Sequence, residues 1–101
     1  MSKAAVIRYE TKPEAAEENQ RLVEEVFAAL DKARPEGLRY TTLRLEDGVT
    51  FVHVVLTEGD ADPLPELPEF QAFAQGIGER IVSPPVRGGA QVIGSYRFLS
   101  E

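Results

Sequence analysis

The chain of 101 residues has no cysteine, no tryptophan, one methionine and one histidine. Without cysteine there are no disulfides, no thiolate metal ligands and no cysteine nucleophile. One imidazole and no thiol leave first-row metals without their usual ligand sets, so no metal is expected. No apolar run approaches the ~20 residues that span a bilayer. The opening Met-Ser-Lys-Ala-Ala-Val leads into a strand pattern, without the apolar core and cleavage site of a signal peptide. A cytoplasmic protein is the expectation. Basic residues are in the minority, 11 against 17 acidic, for a net charge of −6. Phosphate recognition rests on clustered Lys and Arg, so nucleic acid and anionic membranes are not expected partners. The acidic residues gather in Glu10–Glu25 and Glu58–Glu69 and read as solvated surface.

What is present points to a single α+β domain over residues 1–101, long enough for one core. The richest β-branched and aromatic stretch is Val49–Thr57, which carries the sole histidine, His53. Phe51 and Val55 fall on one face, Val52, Val54 and Leu56 on the other, the mark of a central strand covered on both sides. Ala4–Glu10 alternates as a first strand. Thr11 or Lys12 with Pro13 and the acidic Glu14, Glu17 and Glu18 form a helix start. The helix runs to about Ala33 with Leu22, Val23, Val26 and Leu30 on one stripe. Asn19 interrupts that stripe. Arg34-Pro35-Glu36-Gly37 ends it. Leu38–Leu45 reads as a second strand, joined through the hairpin signal Asp47-Gly48 to the third.

Glu58–Leu67, with Gly59, Pro63 and Pro65, reads as a loop. Leu67, Phe70, Phe73, Ala74, Ile77 and Ile81 then form a second helical stripe, weakened by Gly76 and Gly78. Ser83-Pro84-Pro85 stops it, Arg87-Gly88-Gly89 reads as a flexible join, and Ala90–Leu99 as the last strand. The order βαββαβ with right-handed crossovers gives a ferredoxin-like, four-stranded antiparallel sheet with both helices on one face and strands one and three central. The other face is apolar and uncovered, which calls for a second copy packing sheet to sheet as a homodimer.

Several residues are candidates for chemistry. His53 is the one group able to do acid–base work near neutral pH. It is either a neutral core histidine bonded to a Tyr, a Thr or a backbone carbonyl, or a pocket residue acting on a phenol or enol. Asn19 either bonds a backbone group near the helix start or lines a cavity between helix and sheet. Arg8 either pairs with a Glu at the strand end or anchors a ligand. Tyr40 supplies a strand hydroxyl, and Phe70 and Phe73 serve core and pocket wall.

Val6-Ile7-Arg8-Tyr9-Glu10-Thr11-Lys12-Pro13, Pro35-Glu36-Gly37-Leu38-Arg39-Tyr40 and Leu67-Pro68-Glu69-Phe70-Gln71-Ala72-Phe73 resemble, respectively, the first strand, the approach to the second strand and the second helix of antibiotic-biosynthesis-monooxygenase-like domains, in the dimeric α+β barrel superfamily. That resemblance implies a dimeric barrel and a small aromatic ligand. It further implies cofactor-independent oxygenase-like or isomerase-like chemistry on an aromatic, polyketide-type substrate. The alternative is a non-catalytic dimeric domain with a stress-related or pathway-accessory role. Oxygenases of this kind often rely on a tryptophan, which this chain lacks.

Overall fold

The computed structural model describes residues 2–58 and 62–98. Its elements are β1 (Ser2–Glu10), α1 (Ala16–Ala33), β2 (Leu38–Arg44), β3 (Thr50–Glu58), α2 (Pro68–Arg80) and β4 (Val86–Ala90). The strands form one antiparallel sheet in the order β2-β3-β1-β4, the expected ferredoxin-like topology with β1 and β3 central.

Local chemistry explains most of the element ends. Pro13 opens a 3-10 turn, Pro13–Ala15, that feeds α1, and no side chain caps either helix start. Thr11 turns away from the cap position: it is fully buried, and its hydroxyl and backbone N–H both donate to the Val49 carbonyl. At the hairpin, Asp47 Oδ1 accepts from the Val49 and Thr50 N–H groups at 2.9 and 2.8 Å. Gly48 follows at φ +80°, a conformation that favours glycine. Arg44 then ties β2 to α1, donating to Gln20 Oε1 at 2.6 Å and to Glu17 at 3.0 Å.

The core lies between the sheet and the helices. Tyr9 and Phe51 from the sheet, Val23 and Val26 from α1, and Leu64 and Phe73 form its buried centre. Strand alternation puts Ala5, Ile7, Tyr9, Phe51, His53 and Val55 on this side. Val6, Val52, Val54 and Leu56 face the other way, half-buried, beside the exposed Leu43, Leu45 and Val86.

The last strand departs from expectation. Val86–Ala90, which contains the Arg87-Gly88-Gly89 read as a flexible join, pairs with β1, whereas residues 91–98 are exposed and outside any strand. Leu99 lies outside the described residues, as do Gly59, Asp60 and Ala61 of the loop before α2. Register explains the difference. After α2, Ile81 bridges Thr11 and the Val82 N–H donates to the Glu10 carbonyl at 3.0 Å, so the chain meets β1 again at Val86↔Arg8. By Ala90↔Ala4 the edge of β1 is almost used up. A backbone ladder needs no side chains, so Gly88 and Gly89 occupy the edge and the more strand-like residues overshoot it.

Candidate functional site

The site is a chain of hydrogen bonds that crosses the core from α2 to β2. It begins at Arg80 in the last turn of α2, a buried cation, 6% exposed. Its Nη2 donates to the Phe73 carbonyl at 2.9 Å and its guanidinium lies 5.1 Å over the Phe73 ring. Among the described residues no carboxylate forms a salt bridge with it. Gly76 makes the room: a Cβ there would sit 2.8 Å from Arg80 Nη1. The glycine that weakens α2 is thus the one that admits its buried end.

Arg80 Nε donates to Asn19 Oδ1 at 3.0 Å, and Asn19 Nδ2 donates to the Tyr9 hydroxyl at 3.0 Å. The Tyr9 hydroxyl lies 2.7 Å from His53 Nε2. On the far side of the ring, His53 Nδ1 is 2.6 Å from the Tyr40 hydroxyl and 3.1 Å from Thr42 Oγ1. The ring sits among aromatics, with centroids 5.3 Å from Tyr9, 5.7 Å from Tyr40 and 5.6 Å from Phe73.

The direction of this chain follows from its first member. A guanidinium only donates, so Asn19 must turn its oxygen to Arg80 and its amide N–H to Tyr9. Tyr9, already accepting, gives its own proton to His53 Nε2. The imidazole proton therefore sits on Nδ1 and is donated toward Tyr40 and Thr42. Were the ring protonated at Nε2, the Tyr9 oxygen would face two donors and its buried proton would lack a partner, at about 1–3 kcal/mol.

Burial sets the charge states. It pulls His53 down from 6.5 to about 4, so the ring is neutral at pH 7. It pushes Tyr40 up to about 12 and moves Tyr9 well above the ordinary phenol range, the Asn19 bond opposing the latter. Burial also pulls the Arg80 guanidinium downward, but arginine keeps its proton.

Beside this chain lies a cavity of about 640 Å³ between the sheet and α2, with Tyr9, Tyr40 and His53 on one wall and Phe70, Phe73 and Ile77 on the other. Lys3, Arg87 and Asp62 also line it. The volume falls within the 300–1,000 Å³ range of small-molecule pockets.

Of the residues singled out in the sequence, His53, Tyr40, Phe70 and Phe73 meet at this cavity. Asn19 bonds side chains, behind the wall, and neither a backbone group nor the cavity. Arg8 stands apart, exposed on the opposite sheet face between Val52 and Val86. Sequence reasoning missed Arg80, which reads as a wet last-turn cation. The signal was its spacing: Phe73, Ile77 and Arg80 fall on one helical stripe. Among the described residues no three His, Asp or Glu side chains gather as metal ligands would, and no helix is long and apolar enough to cross a membrane.

Fold and cavity together define a ferredoxin-like α+β protein with a ligand-sized, aromatic-walled space under its second helix. No protein-family model and no curated protein matches the chain. Solved structures do. SnoaB, a cofactor-independent oxygenase from Streptomyces nogalater, is similar at TM-score 0.67 and 21% identity, over 99% of this chain and 98% of its own. A Nitrosomonas europaea protein, provisionally described as an antibiotic biosynthesis monooxygenase, is similar at TM-score 0.75 and 14% identity, over 91% and 90%. Rv0793 from Mycobacterium tuberculosis gives TM-score 0.74 and 16% identity, over 94% and 98%. At such identities the likeness establishes a shared fold, and at that level it bears out the resemblance read from the sequence.

Proposed function

We propose that this protein binds an aromatic, polyketide-type small molecule in the cavity beside His53 and acts on it in the manner of a cofactor-independent monooxygenase or isomerase. The observation that carries the reading is the cavity itself, apolar and aromatic on both walls with the neutral His53 ring and the Tyr40 hydroxyl on one of them. Phenol and enol substrates suit such a wall, and an electron-rich one serves as its own reductant of O2, so no cofactor is called for. A filled core with His53 bonded to the backbone would have argued the other way, toward a non-catalytic domain.

The working unit under this reading is a homodimer in the cytoplasm. Val6, Val52, Val54, Leu56 and Leu43, with the exposed Arg8 and Arg39 among them, make a largely apolar sheet face that neither helix covers, and Val92, Ile93, Tyr96 and Phe98 add exposed apolar surface just beyond β4. A second copy of the same face supplies a matching cover of like chemistry. The absence of cysteine fits a reducing compartment.

The test is a thermal-shift screen against anthrones, quinones and aromatic polyketides, followed by O2 uptake with any hit. A ligand at a hundred times its dissociation constant stabilises the fold by about 2.7 kcal/mol, and the shift should vanish in His53→Ala. A flat panel from a folded dimer would defeat the pocket reading and favour the accessory domain.

A further inference from the structure

The hydrogen-bond chain has a polarity, and the polarity has an end. Arg80 can only donate, and each following group passes a donor onward: Asn19 to Tyr9, Tyr9 to His53 Nε2, and His53 Nδ1–H to Tyr40 and Thr42. Tyr40 is thereby supplied with a donor from behind. Its oxygen accepts the imidazole proton at 2.6 Å, so its own proton is not needed by His53. Thr42, the other hydroxyl at Nδ1, is not on the cavity wall, whereas Tyr40 is.

We infer that Tyr40 presents its phenolic proton to the cavity, so that the pocket selects a ligand offering an acceptor oxygen, a carbonyl or an enolate, at that point. The inference rests on the pocket reading above and deepens it, because it says which oxygen chemistry the ligand must carry. The bond from His53 strengthens the donor, since a phenol that accepts one hydrogen bond donates a second more strongly. Arg80, which can only donate, orients the whole chain. Tyr9 plays no such part, since its proton is committed to His53.

The experiment has two arms on the full chain. In the first, long-range ¹⁵N–¹H correlation reads the tautomer of the one histidine, with no assignment needed. A ring protonated at Nδ1 is expected, and a ring protonated at Nε2 overturns the proposal. In the second, 9-fluorenone and fluorene, tricycles of the same shape with and without a carbonyl, are titrated by calorimetry. One hydrogen bond is worth about a fivefold preference for fluorenone. That preference should collapse in Tyr40→Phe and persist in Thr42→Val. Lys3 and Arg87, the cationic donors on the lining, are unchanged in both variants. Equal binding of the two tricycles, or a preference that survives Tyr40→Phe, sinks the inference and leaves the pocket reading standing. Failure of both tricycles to bind sinks the two together.

Discussion

Lowering the pH from 6.5 toward 5 should destabilise this protein through His53. The ring is 4% exposed, and burial brings it from 6.5 to about 4. Protons therefore bind the unfolded chain first. Stability from the neutral ring is complete above pH 6.5, falls as pH drops from there to about 4, and is level below that. The full loss is about 3 kcal/mol, with about 2 kcal/mol already gone at pH 5. Asp47 is held below 3.8 by the Thr50 hydroxyl and the Val49 and Thr50 N–H groups, so its contribution is lost only at lower pH. Urea unfolding at fixed protein concentration, between pH 7.5 and 5, should show this slope in the wild type. His53→Gln, with nothing to titrate there, should be nearly flat. A wild type that is flat over that range, or a variant with the same slope, would refute the assignment of a buried neutral imidazole.

Two further outcomes test the core and the assembly. Asn19→Leu strips the partners of both Arg80 Nε and Tyr9, and should cost about 3 kcal/mol or more in chemical denaturation. The double variant Asn19→Leu/Arg80→Met should cost much less than the sum of the two, since the buried cation then goes with its acceptor; strict additivity would count against the coupling. Val54→Lys places a charge in the middle of the open sheet face and should convert a dimer to a monomer by light scattering. A wild type already monomeric would rule out the sheet-to-sheet dimer, and a variant that stays dimeric would rule out this face as its seat.

The fold was legible because its determinants are local. Alternation in Val49–Thr57, the Asp47-Gly48 turn, and Pro13 before an apolar stripe each name an element without reference to the rest of the chain. The last strand was not legible, because what places Val86–Ala90 is the bridge between Thr11 and Ile81 and the length of free edge on β1. Neither leaves a trace in the residues that form it. The site divides in the same way. His53, Tyr40, Phe70 and Phe73 stand out by residue type and face, and Asn19 by being polar on an apolar stripe. Arg80 becomes intelligible only when Asn19 is seen to need a donor, and Gly76 only when Arg80 is seen to need space. The position of Arg8 on the sheet face away from the cavity was not legible, since alternation alone does not say which face of a two-sided strand meets the helices.

The glycine edge of the sheet also bears on how this protein changes over time. Gly89 borders the cavity, and a Cβ added there would meet nothing nearer than the Ala4 carbonyl at 3.9 Å. The ladder it forms asks only for backbone. Mutational drift at this one position can therefore trim the space for a ligand while the folding determinants and the polar chain through His53 stay untouched. Gly89→Val or Gly89→Leu would act as a size gauge, and relatives with bulkier residues here should accept correspondingly smaller molecules.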